Sequence, residues 1–118
     1  MLYCFMNNKD SLILQKILAY CEQIRQTHEY FHDDQVLFFN EAEGFVYRNS
    51  VAMPILQIGE LVKKLSEEYL LENKAIPWRA IMGMRDIFAH HYGSVDYQEL
   101  WQTTHEDIFE LARYLRQQ

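Results

Sequence analysis

Val51, Ile55, Ile58, Val62, Leu65 and Tyr69 recur at alternating steps of four and three, the repeat of one face of an α-helix. That seam predicts a long helix over about residues 45–72. Pro54 falls inside it, and because the apolar phase survives the proline, a kink is expected there and not an end. Leu14, Ile17, Leu18, Cys21 and Ile24 repeat the pattern and predict a first helix over about 9–28. "HDDQVLFFNEAEG" reads as a loop with a short helical turn. "ENKAIP" breaks the chain, and Pro77 suits the first turn of a further segment, "WRAIMGMRDIFAHH". Asp96 and Glu99 have capping-box spacing. They open a last helix with the stripe Tyr97, Leu100, Trp101, Thr104, Ile108, Leu111 and Leu115. No strand pattern competes. The expected fold is all-α: an antiparallel up-down bundle of four main helices plus a short helix, with residues 1–118 as a single domain.

A hydrophobic content of 49% over 118 residues is enough for one real core. The apolar start "MLYCFM" is too short for a secretory leader and lacks a basic lead. No apolar run approaches a membrane span. The two cysteines, Cys4 and Cys21, show no CxxC spacing and read as buried or idle thiols in a reducing compartment, so a cytoplasmic protein is expected. A net charge of −6 argues against a broad basic surface. Any nucleic-acid contact should be confined to a local groove, and a basic partner could be drawn to the remainder.

The chemistry concentrates in "RDIFAHHYGSVD", residues 85–96. With Arg85 at zero on a helical wheel, Ile81, Met84 and Phe88 form a buried arc, while Asp86 and His90 fall about 40° apart on the polar side. His91 returns to the apolar side and reads as a packed histidine. His90 lies beside Asp86, whose carboxylate would orient it and favour its charged form. RNA transesterification suits such a set: a 2′-OH must lose a proton, a 5′-oxygen must gain one, and charge builds on the phosphorus between. Histidine can move either proton and arginine can clamp the phosphate, with no metal or cofactor required. One His90 does not easily serve as both base and acid. Arg85 and His90 also stand about 140° apart on an ideal helix, so a site shared across a two-fold fits better than one built within a helix. An Arg-x4-His pair alone arises easily by chance in this composition.

The longer stretch is more specific. "LQIGELVKKLSEEY" followed by "IPWRAIMGMRDIFAHHYGSVDYQELWQTTHEDI" resembles the HepT-like branch of the HEPN superfamily, small all-helical toxin ribonucleases. The likeness covers about residues 45–115. The family's Arg-x4-His-x-Tyr motif matches at Arg85, His90 and Tyr92, its polar residue after the arginine matches as Asp86, and the "IGE" and "PW" strings match too. This resemblance implies a homodimer with a metal-independent endoribonuclease site at its interface. It also implies the toxin role in a toxin–antitoxin system, whose minimal nucleotidyltransferase antitoxin neutralises the toxin by adding AMP to the motif tyrosine, here Tyr92. "YGSVD" departs from the commoner "YFGVD", which bears on the local loop geometry and not on the reaction.

Other features carry alternative readings. "HEYFH", residues 28–32, matches the HExxH zinc-hydrolase string, with Glu29 as the would-be base. His28, however, extends the apolar stripe of Cys21 and Ile24 and should point inward at a helix end, and Asp33-Asp34 reads as a loop. Trp78, Trp101 and the tyrosines read as core or dimer interface. Arg79 could touch an RNA phosphate or simply be solvated. Arg48 and Glu60 could line the groove or pair on the surface. Lys63-Lys64 and Glu67-Glu68 have the spacing of i,i+4 pairs on a solvated face. Besides the ribonuclease, two readings stand: a non-catalytic helical module that binds a nucleotidyltransferase partner, and the zinc hydrolase.

Overall fold

The computed structural model describes the backbone of residues 7–91, 93 and 95–118, and the side chains of these except 87–91. The described residues contain no strand and form an all-α, HEPN-like bundle. Helix α1 (Asn8–Tyr30) starts where Asn7 Oδ1 accepts the Asp10 amide at 2.7 Å, and it buries Ile13, Leu14, Ile17, Cys21, Ile24 and His28. It ends as His32 (φ 56°) and Asp33 (φ 51°) turn left-handed. Asp34 then caps the short α2 (Gln35–Phe39) through the Leu37 amide.

Helix α3 (Phe45–Val62) runs through Pro54 but stops about ten residues earlier than the seam suggests. Three-residue turns follow it, with the Lys64 amide on the Leu61 carbonyl and the Leu65 amide on that of Val62. Ser66 starts a separate α4 (Glu67–Glu72) by accepting the Tyr69 amide. Asp10, 1% exposed, fixes this break by accepting both the amide and the hydroxyl of Ser66. Val62, Leu65 and Tyr69 stay buried across it. The seam therefore reports which residues face the core, and says nothing about whether the backbone ladder is unbroken. The break also takes Lys63 and Lys64 out of helical register with Glu67 and Glu68, and Lys63 binds Asp86 instead.

Asn73 anchors the next linker. Its carbonyl accepts from Trp78 Nε1 at 2.9 Å, and its Oδ1 accepts from the Tyr114 hydroxyl. Helix α5 (Trp78–His91) follows, with the Pro77 carbonyl accepting the Ile81 amide. The expected last helix is α6 (Tyr97–Gln102) and α7 (Ile108–Arg116), joined by a π-helical turn over Thr103–Asp107. Asp96 caps α6 through the amides of Gln98 and Glu99. In the π turn, Thr104 Oγ1 donates to the Leu100 carbonyl at 2.8 Å and so competes with the backbone ladder. The wide turn keeps Leu100, Thr104, Ile108, Leu111 and Leu115 all inside.

Side-chain pairs set the directions. His28, late in α1, meets Tyr47, early in α3, whereas Asp10 meets Ser66 beyond the other end of α3. His28 also meets Thr104, and Glu22 meets Arg116. α1 is thus antiparallel to both α3 and the last helix. Ile17, Ile24, Phe38, Tyr47, Val51, Ile58 and Val62 are fully buried at the centre. Each such side chain contributes about 1.5–3 kcal/mol by leaving water. Both tryptophans belong to this core: Trp78 is buried, and Trp101 packs edge-on to Phe38 with ring centres 4.9 Å apart. Among the described residues no helix is long and apolar enough to cross a membrane.

Candidate functional site

On α5, Ile81 and Met84 face the core as the wheel requires, while Asp86 is exposed and Arg85 lies between, its side chain 25% exposed. Arg85 lies against α3 at Gly59. A Cβ built on Gly59 would come within 2.2 Å of Arg85 Cβ and 2.8 Å of its Cγ, so only glycine permits this approach. The next residue of α3, Glu60, turns its carboxylate onto Arg85 Nε, and that oxygen is shielded from solvent. Arg85 Nη1 donates to Asp86 Oδ1 at 3.0 Å, and Lys63 Nζ donates to the same oxygen at 3.1 Å. The result is a chain of alternating charge, Glu60–Arg85–Asp86–Lys63. The hydrogen bonds from Lys63 and then Arg85 hold the Asp86 carboxyl below its ordinary pKa, and the bond to Asp86 raises that of Arg85.

The helix backbone reaches His91, but the side chains of Phe88, His90 and His91, and all of Tyr92, lie outside the described residues. Just past them, Gly93 and Val95 line a cavity of about 230 Å³ with Phe45, Arg48, Asn49, Tyr97 and Leu100. The C-terminal end of the motif therefore opens beside the N-terminal end of α3. Arg48 lines this cavity, but its guanidinium is turned to the protein's own backbone and not to a surface acid. It is 5% exposed, donates to the carbonyls of Phe38, Asn40 and Glu41, and stacks over the Tyr97 ring at 4.0 Å. Its guanidinium ties the α2–α3 loop to α6. Glu60 does pair, and with Arg85. Arg79 is exposed on α5, about 120° around the helix from Arg85.

A second cluster sits between α1 and the π turn. His28, 5% exposed, has Nδ1 at 2.6 Å from the Tyr47 hydroxyl and Nε2 at 2.9 Å from Thr104 Oγ1. The Thr104 hydroxyl proton is committed to the Leu100 carbonyl, so its oxygen accepts from Nε2–H and Nδ1 accepts from Tyr47. Burial, and then the nearby His105, lower the His28 pKa to about 4. The rings of His28 and His105 lie 3.7 Å apart. His105 Nδ1 faces the Trp101 carbonyl at 3.0 Å, and Nε2 faces Asp33 Oδ1 at 2.7 Å. A cavity of about 280 Å³ opens beside these groups, with Glu22, Arg25, Glu29 and Arg116 on its walls.

The HExxH string does not assemble as a zinc-hydrolase site. α1 ends at Tyr30, and His32 adopts φ 56° beyond it, so His28 and His32 do not share a helix face. His28 points inward, as its place in the apolar stripe requires. Its real neighbours, Asp33 and His105, escaped the sequence reading because one follows a left-handed turn and the other lies 77 positions further along the chain.

The profile of the family described as "Ribonuclease HepT-like" matches residues 17–118. A protein of Caldanaerobacter subterraneus subsp. tengcongensis, named as an RNase, is 30% identical over 107 residues, which cover 83% of this chain and 89% of the relative. One from Methanocaldococcus jannaschii, also named as an RNase, is 30% identical over 89 residues, 70% of this chain and 74% of its own. One from Thermococcus cleftensis, named for ribonuclease HepT, is 41% identical over 51 residues, 43% of this chain and 46% of its own. No solved structure matches.

Proposed function

The chain belongs to the HepT-like ribonuclease family, and we propose that it is a metal-independent endoribonuclease whose site, built on Arg85 and His90, is shared across a homodimer. The observation that supports this most is the placement of Arg85. It is held at the α3–α5 seam by Glu60 and Asp86 and is partly open to solvent. In this reading one His90 takes the proton of the attacking 2′-OH, which bonds to phosphorus as the bond to the 5′-oxygen breaks. The His90 of the second copy gives that oxygen a proton, and Arg85 balances the charge on the phosphoryl oxygens. Asp86 orients the arginine and the histidine beside it. Exposed Arg79 is available to a flanking phosphate. Phe45, Val46 and Met53 are exposed apolar side chains on α3, the kind of surface that a second copy covers.

The wider role follows from the same reading: the toxin of a cytoplasmic toxin–antitoxin pair, silenced when a nucleotidyltransferase partner adds AMP to Tyr92. The whole chain, residues 1–118, acts as one domain. His90→Ala should lower RNA cleavage by about 10²- to 10⁴-fold in the presence of chelator, with the helical circular-dichroism signal kept. Arg85→Lys, which retains a cation for Glu60 but loses the planar fork, should fall with it. Full cleavage by purified His90→Ala protein would leave the reading without its proton carrier. A non-catalytic module that only binds the partner would show no cleavage in the wild type either.

A further inference from the structure

We propose that His28, Asp33 and His105 form a binding site for a divalent transition-metal ion of the zinc kind, at the junction of α1 and the π turn, separate from Arg85 and independent of its role. Two locally unfavourable backbone features meet there. Asp33 sits at φ 51°, in a region that a side chain disfavours, and Thr103–Asp107 forms a π turn. Each delivers one member of the cluster, Asp33 and His105, to a polar residue already buried on α1. One nitrogen or oxygen of each of the three lies within 4.8 Å of those of the others.

The histidines are held as metal-binding histidines are. His105 Nδ1 is engaged by a backbone carbonyl, which aims Nε2 into the cluster. His105 Nε2 and Asp33 Oδ1 lie 2.7 Å apart, so one nitrogen and one oxygen ligand already converge. Nδ1 of His28 is held by the Tyr47 hydroxyl, which can accept as well as donate, so its Nε2 can exchange Thr104 for a ligand bond.

Two imidazoles and one carboxylate suit zinc, cobalt or nickel and not magnesium or calcium. Tetrahedral zinc needs ligand atoms about 3.3 Å apart, and exposed Asp33 can supply the shift. The adjoining cavity gives a way in and room for water at the fourth position. A bound ion would clamp the end of α1 to the last helix, and would favour the folded chain because the three ligands converge only there.

The test uses untagged protein with zinc alone as the probe, read by native mass spectrometry and by competition with a chromophoric chelator. One zinc per chain and a raised Tm are expected. Asp33→Asn and His105→Gln should each weaken binding at least about tenfold, and His32→Ala should not. Asp33 is exposed and His105 is partly exposed, and the folding of both variants is checked by circular dichroism. Absence of binding at micromolar free zinc overturns the proposal, as does equal binding by the Asp33→Asn/His105→Gln double variant. Loss of binding in His32→Ala would assign the ion to the HExxH string and overturn it too. RNA cleavage, measured on the same samples well below their Tm, reads the Arg85 site alone.

Discussion

Arg85 stands where it does because Gly59 has no side chain: the hydrogen of Gly59 occupies a position from which a Cβ would lie 2.2 Å from Arg85 Cβ. Both atoms belong to rigid parts of packed helices, so neither can swing aside. Gly59→Ala should push α5 from α3, costing about 1–3 kcal/mol of stability. The same change displaces Arg85 from Glu60, and cleavage should fall more steeply than the loss of folded protein accounts for. Urea denaturation alongside single-turnover cleavage separates the two effects. Wild-type stability in the alanine variant would mean that the helices are not in contact at this point.

Sharing of the site across two copies predicts a mixing effect. Each site takes a His90 from both copies, so a dimer of one wild-type and one His90→Ala chain lacks one of its two proton carriers. Mixing wild type with His90→Ala protein should therefore lower cleavage roughly as the square of the wild-type fraction, and not in proportion to it. A monodisperse monomer with full activity, seen by light scattering at micromolar concentration, would remove the basis for this.

Modification of Tyr92 predicts a mass change. Incubation with the cognate nucleotidyltransferase, ATP and Mg²⁺ should add AMP to the wild type and not to Tyr92→Phe, as read by intact-mass spectrometry. The modified protein should keep its circular dichroism and lose cleavage, because the added phosphodiester competes with RNA for Arg85. Equal mass gain in the Phe variant would move the acceptor elsewhere.

Cys21 makes stability depend on alkaline pH. Burial raises its thiol from 9.0 to about 12, so between those values the unfolded chain ionises while the folded chain cannot. The contribution is whole below pH 9 and is lost as pH rises towards 12, by about 1.4 kcal/mol for each pH unit. Buried Tyr47, whose hydroxyl is also raised by burial, acts in the same direction at higher pH. Denaturant midpoints from pH 8 to 10.5 should fall more steeply for wild type than for Cys21→Ala. Parallel profiles would show the thiol to be solvated.

Much of this architecture could be read from apolar spacing alone. The stripes named the inward residues of α1, α3 and α7 correctly, and Asp96 and Pro77 marked two helix starts. What escaped was tertiary. The break at residues 63–66 is made by Asp10, more than fifty positions earlier, reaching the Ser66 backbone. Arg48 resembles a surface arginine until three loop carbonyls converge on it. At the site, Asp86 was legible on the polar side of α5, because helical geometry fixes where each residue of one helix faces. Lys63, which shares the Asp86 carboxylate with Arg85, was not: its position depends on α3 ending at Val62.

The alternating set Glu60–Arg85–Asp86–Lys63 sums to zero charge before any substrate arrives. A strand entering there exchanges one anion for another and displaces few mobile counterions. Affinity for RNA should then weaken only gently with added salt, well short of the slope of about 0.7 per phosphate that free cations would give on single strands. Discrimination among RNAs must accordingly rest on the shape of a strand and its unpaired bases, since bulk attraction to phosphate contributes little in a chain of net charge −6.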